Sequence, residues 1–161
     1  MSNLSNTATI SSNPTLKIGA QGSKVKELQK LLNGELGHRQ QISEDGVFGT
    51  ETEKVVKVIQ YRFFLAQNGI VGSNTWQVLQ THALVEKPTL SKGSTGQLVA
   101  RVQQVLKDGK FYQGIVDEDF GSKTETAVKA FQKDRQLLSD GIVGNATWKS
   151  LQELAGMLTA F

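Results

Sequence analysis

Any catalytic chemistry in this sequence would have to come from its histidines, carboxylates and hydroxyls, and their spacing argues against an active centre. The two histidines, His38 and His82, stand 44 residues apart, and neither falls in a His-Glu-x-x-His pattern that could hold zinc. No serine sits in a Gly-x-Ser-x-Gly elbow, and no glycine-rich loop ends in Gly-Lys-Ser/Thr. Cysteine is absent, which excludes thiolate nucleophiles, disulfides and sulfur-ligated metals. The run Asp117-Glu118-Asp119 could offer the paired carboxylates that cleave sugar polymers. Its counterpart earlier in the chain, however, is Asp45-Gly46-Val47, with one acid in place of three. Such acids are better explained as turn formers and as favourable charges near a helix N-terminus. The expectation is therefore a protein that is not an enzyme, with no cofactor and no metal.

The elements around these residues come from a duplication. Leu16–Leu79 recurs as Leu90–Leu151, and from Asp45 and Asp117 onward the copies run 35 positions without a gap and agree at 16. Chance would give about two at background residue frequencies. Thr81–Thr89 lies between the copies as a linker, so the expected organisation is a tail over 1–15, a first repeat over 16–80, a linker over 81–89, a second repeat over 90–155 and a C-terminal tail over 156–161. Each repeat reads as three helices, and the expected fold class is mainly α, two tandem three-helix bundles with separate cores.

Val25, Leu28, Leu31 and Leu32 share one helical face, as do Val99, Val102, Val105 and Leu106. The second helix of each repeat should open with a capping box, Thr50 with Glu53 and Ser122 with Glu125. It should bury Val55, Val56, Ile59 and Phe63, or Ala127, Val128 and Phe131, and end at Gly69 or Gly141. Ser73 and Asn145 should cap a third helix. Trp76 and Trp148 are expected as core plugs. Gln29, Gln103, Gln60 and Gln132 are expected mainly as buried amides tying loops to helices.

Composition narrows the partners. Lys and Arg number 18 against 15 Asp and Glu, a net of +3, and the cations are scattered. That is too little for a nucleic-acid footprint. No apolar run approaches the ~18 residues of a membrane span. Met1–Thr15 is Ser-, Asn- and Thr-rich with no apolar core, so it is expected to be a mobile tail and not a secretory signal.

The ordered set Leu-x-x-Gly-x-x-Gly-x-x-Val, Asp-Gly-x-Phe-Gly, Thr-x-x-x-Val and Gly-Ile-Val-Gly-x-x-Thr-Trp, present in both copies with small departures, closely resembles the peptidoglycan-binding domain appended to bacterial cell-wall hydrolases and carboxypeptidases. The resemblance implies compact three-helix bundles and non-catalytic attachment to peptidoglycan, in the cell wall or periplasm. Without a visible signal, a cytoplasmic location or a non-classical route of export is the alternative. The second copy has Glu118 where glycine is usual. The first replaces the aromatic segment Phe111-Tyr112-Gln113-Gly114 with His38-Arg39-Gln40-Gln41.

On this reading the second copy is the better binder. Phe111 and Tyr112 would stack on sugar, Asp117, Asp119 and Gln132 would meet hydroxyls, and Arg135 would meet a stem-peptide carboxylate. Asp45, Gln60 and Arg62 would serve in the first copy. Partners would be peptidoglycan glycan and stem peptide. The other reading is an adaptor that docks a wall hydrolase, or a protein of a secretion or phage-like apparatus.

Overall fold

The structure, a computed structural model, describes residues 13–38 and 40–160. Six helices follow in order: α1 (Ser23–Leu36), α2 (Thr50–Arg62), α3 (Ser73–Thr81), α4 (Gln97–Asp108), α5 (Ser122–Asp134) and α6 (Asn145–Leu158). They form two three-helix bundles, as the duplication predicts. The expected tail over residues 1–12, the Arg39 position and Phe161 lie outside the described residues. Asn13 and Pro14, also assigned to that tail, are docked: Trp76 Nε1 donates to the Pro14 carbonyl at 2.8 Å and Lys24 Nζ to Asn13 Oδ1 at 3.0 Å. Helix α6 runs three residues into the segment read as a C-terminal tail.

The expected apolar faces are where the helices pack. Val25, Leu28, Leu32, Val56, Ile59 and Phe63 build the first core; Val99, Val102, Val105, Leu106, Ala127, Val128 and Phe131 build the second. Both tryptophans are buried core residues, and Trp148 Nε1 donates to the Pro88 carbonyl just as Trp76 does to Pro14.

The helix ends differ from expectation. Gly49, Gly72, Gly121 and Gly144 occupy the N-cap positions, and no side chain caps any of the four helices they precede. Thr50, Ser73, Ser122 and Asn145 are therefore already the first helical residues. Glu53 and Glu125 do not reach back in a capping box but run forward to Lys57 and Lys129, at 2.9 and 3.2 Å. Gly69 and Gly141 do not end α2 and α5, which stop at Arg62 and Asp134. Each lies in the following turn at φ near 73° (72° and 74°), and a Cβ there would sit 2.8 Å from Cγ of Glu53 or Glu125. These glycines let the turn close over the helix.

Four glutamine clamps hold the turns. Gln29 Nε2 donates to Asp45 Oδ1, the Val47 carbonyl and Thr52 Oγ1, while its Oε1 accepts from the Gly46 N–H. Gln103 repeats this with Asp117, the Asp119 carbonyl and Thr124. Gln60 does so with Asn68, the Ile70 carbonyl and Thr75, and Gln132 with Asp140, the Ile142 carbonyl and Thr147. The same device therefore occurs twice in each repeat. An Asp/Asn turn and a threonine two residues into the next helix satisfy one buried amide.

The expectation of separate cores is corrected. Phe64, one residue beyond the α2 C-cap, belongs to the second core, edge-on to Trp148 with ring centroids 5.2 Å apart. Its backbone is left-handed at φ 56°, which costs a non-glycine residue roughly 1–2 kcal/mol. Burying a phenylalanine returns ~1.5–3 kcal/mol, so the packing outweighs the strain. Arg62 bridges the repeats too, donating to the Glu35 carbonyl at 3.0 Å and to the Thr159 carbonyl and hydroxyl at 2.9 and 2.6 Å. Tyr61 donates its hydroxyl to Asp108 at 2.6 Å. In the linker, Leu84 packs against both cores, and His82, the left-handed C-cap of α3, contacts Glu35.

Candidate functional site

In the second repeat, the chain leaving α4 turns at Lys110 and lays Phe111–Gly114 alongside the outer face of α5. Between them lies a groove of about 420 Å³, lined by Phe111, Tyr112, Gly114, Lys123, Thr126 and Ala130 among others. Phe111 is held edge-on to Phe131, with centroids 5.3 Å apart, and Arg135 lies over the same Phe131 ring at 5.4 Å. Phe131 thus contacts the Phe111 ring edge-on and the Arg135 guanidinium over its face. Arg135 Nε is buried without a hydrogen bond, 3.4 Å from Asp134 Oδ2 but not aligned with it.

Tyr112 differs from the exposed contact the sequence suggested. It is 5% exposed, belongs to the core, and donates its hydroxyl to the Ile115 carbonyl at 2.7 Å. Replacing it with alanine would therefore cost stability, contrary to the expectation that binding and stability separate there.

The remaining predicted residues are placed elsewhere. Asp117 and Asp119 do not line the groove. Asp117 Oδ1 accepts from Gln103 and from the Asp119 N–H, and these bonds, the Gln103 one foremost, hold its carboxyl below the ordinary value. Asp45 is held low in the same way, chiefly by the Val47 N–H and then by Gln29. Gln60 and Gln132 are about 1% exposed with their amides consumed by the clamps, leaving nothing to present to a ligand. Arg62 is the bridge between repeats.

The first repeat has a larger depression of about 540 Å³ around the start of α2, lined by Gln41, Ile42, Asp45, Thr50 and Glu51 among others, which overlaps the position of the groove only in part. It has no aromatic wall. Glu51 stands where the second repeat has Lys123, and it pairs at 3.3 Å with Lys54, which stands where the second repeat has Thr126. The sequence reading passed over Lys123, Thr126 and Ala130. Their signal was the i, i+3, i+7 stripe of one cation and small residues on the solvent side of α5.

The family model described as the peptidoglycan binding domain matches residues 21–79 and again residues 95–151. The chain belongs to the peptidoglycan-binding domain family. Its tandem copies account for both bundles. Among relatives of this peptidoglycan-binding chain, the N-acetylmuramoyl-L-alanine amidase CwlM of Mycobacterium tuberculosis is 29% identical over 89% of this chain and 39% of its own length. The N-acetylmuramoyl-L-alanine amidase CwlL of Bacillus licheniformis is 31% identical over 86% of this chain and 45% of its own length. Among solved structures, the SleB N-terminal domain aligns with 44% of this chain and 96% of its own length, at 33% identity and a TM-score of 0.43.

These relatives correct the expectation that the chain is not an enzyme. Proteins named as amidases share nearly all of it, which points to an enzyme-family protein. The chain spans less than half the length of the amidases it matches.

Proposed function

We propose that the chain holds its protein on peptidoglycan, with the second-repeat groove taking the glycan, as the wall-binding part of an amidase-type hydrolase of the cell wall or periplasm. The observation that carries this reading is the groove walled by Phe111 and Tyr112, with Phe131 buried edge-on behind Phe111. Sugars present apolar faces to aromatic rings and hydroxyls to polar edges, and the groove offers both. Lys123 adds a cationic donor for sugar hydroxyls.

The two repeats divide the work. The second receives the wall, and the first braces it through Phe64 and Arg62 and orients the rest of the protein. Family membership and the amidase relatives support the reading. No helix among the described residues is long and apolar enough to cross a membrane.

The test is co-sedimentation of the intact chain with insoluble peptidoglycan at low and moderate salt, with cellulose as the control polymer. Pelleting with peptidoglycan alone is expected. Equal pelleting with cellulose, or none with either, would overturn the reading. For the enzyme that carries the chain, incubation with sacculi should free new α-amino groups without new reducing sugar ends, since an amide is the bond cut. New reducing ends in their place would reject the amidase assignment.

A further inference from the structure

The two repeats enclose a second, smaller cleft of about 250 Å³ between the end of α2 and the face of α4. Tyr61, Phe64 and Gln67 form one wall; Gln97, Arg101 and Gln104 form the other; Glu118 closes the end. Three features mark it. The first is uncompensated charge. Arg101, in the cleft wall, reaches toward the Phe64 carbonyl at 3.4 Å, as does Lys87 from outside the lining, and among the described residues neither pairs with a carboxylate. Burial, and for Lys87 also the Arg101 charge, lowers the proton affinity of both. Half-buried cations without an anion are costly, and an incoming anion relieves that cost.

The second feature is the polar lining. Gln67 and Gln97 are exposed side chains for which the structure gives no hydrogen bond, unlike the clamp glutamines. The third is strain. Phe64 and Glu118, at φ 56° and 65°, are both left-handed non-glycine residues, and both border the cleft. Gly46 holds the position equivalent to Glu118 at φ 74°, so the second repeat keeps the strained geometry with a carboxylate where glycine would be free of cost. For Phe64 the packing on Trp148 offsets that strain, which leaves Glu118 as the strained residue that marks the cleft.

We propose that this cleft between the repeats binds the carboxylate end of a short peptide, with Arg101 facing the carboxylate, Gln67 and Gln97 meeting the peptide groups, and Glu118 accepting an amide N–H. A cation and an acid at opposite ends suit a peptide terminus, whereas Glu118 would repel a phosphate polymer. The volume suits about two small residues and not a glycan strand. The inference rests on the wall-binding reading, because the stem peptides of peptidoglycan supply such ends. It gives the tandem two contacts with one polymer: glycan in the groove and peptide in the cleft. Simultaneous engagement of two linked sites raises overall affinity well beyond that of either alone.

The experiment uses the intact chain, titrated by NMR with acetyl-D-alanyl-D-alanine, its C-terminal amide, and inorganic phosphate. The free acid should shift the side-chain amides of Gln67, Gln97 and Gln104, and the C-terminal amide should bind about tenfold more weakly or worse. Gln67→Glu, on an exposed loop, should abolish binding of the acid by repulsion while leaving the fold unchanged. Arg101→Gln should do the same, with Arg101→Lys recovering part of the affinity. The inference is overturned if the acid and its amide bind alike, if phosphate binds as well as the peptide, if Gln67→Glu retains binding, or if the shifts map to Phe111–Ala130. Failure of the parent chain to bind the acid, with its wall co-sedimentation intact, would sink this inference and leave the wall-binding reading standing.

Discussion

The two repeats share a scaffold and differ at its surface, at three positions above all. Where the second repeat has Phe131, Arg135 and Gln136, the first has Ile59, Phe63 and Phe64. In the second repeat, the buried Phe131 supports Phe111 on one side and Arg135 on the other, so α5 backs the aromatic that walls the groove. In the first, Phe63 turns into its own core and Phe64 crosses into its neighbour's. Both chains exit their helix through the same left-handed residue, with Gln136 at φ 59° matching Phe64 at 56°. One backbone device thus serves two ends: a polar residue there leaves a free surface, and an aromatic one joins two domains. The first repeat has become a brace and the second has kept a receptive face.

The comparison can be broken most forcefully at Trp148. Trp148→Ala should cost about 3–5 kcal/mol, the range for deleting a buried aromatic. Because Phe64 rests on this ring, the loss should also loosen the first repeat. Trp76→Ala, lacking such a neighbour across the interface, should unfold mainly its own bundle. Urea denaturation followed by probes in each repeat measures both. Equal, purely local effects would contradict the shared core.

Phe64→Ala should cost about 3 kcal/mol and split one cooperative transition into two, since each bundle keeps its own clamps. Gln136→Ala, at the equivalent exposed position, should stay within about 0.5 kcal/mol of the parent. A single unchanged transition for Phe64→Ala would mean that Arg62 and Tyr61 alone hold the repeats together.

The smallest expected effect concerns acid. Asp140 Oδ1 accepts from Gln132 and from the Ile142 N–H, and these bonds, the backbone one foremost, lower its pKa from the ordinary 3.8. A depressed carboxyl adds stability above its unfolded pKa and loses it as pH falls through the folded one. Asn68 fills the same place in the first repeat with the same bonds and no titration. Melting should therefore be flat from neutral pH down to about 4 and decline below it, more in the second repeat than in the first. Asp140→Asn should remove that excess. An unaltered acid slope would assign it to Asp45 and Asp117, which the repeats share.

Much of this was legible in the sequence, for physical reasons that also mark where legibility ended. The bundles followed from helical periodicity and duplication because burial enforces both. The clamps were half legible: an amide beside apolar positions must be satisfied, but its partners lie 8 to 23 residues away. The helix starts were misread because a hydroxyl with Glu three residues on imitates a capping box. Here the glycine before it takes the cap, and Glu53 is drawn to Lys57 over the Gly69 turn. Phe64 looked like a continuation of its own helix, since nothing local encodes a destination in another domain. Tyr112 looked like a free aromatic because its hydroxyl partner is a carbonyl of its own turn. Arg62 and Gln60 had the chemistry of ligand contacts, and the fold had already engaged them.

The central claim is that the second repeat carries the wall-facing surface and the first does not. Lys123 and Glu51 occupy the same position on α5 and α2, both exposed, so exchanging their charges disturbs neither core. Co-sedimentation of intact Lys123→Glu and Glu51→Lys chains with insoluble peptidoglycan, against the parent, measures the claim directly. Lys123→Glu should lose most of the bound fraction, with the melting temperature unchanged, while Glu51→Lys keeps it. Full retention by Lys123→Glu, or loss confined to Glu51→Lys, would contradict the account.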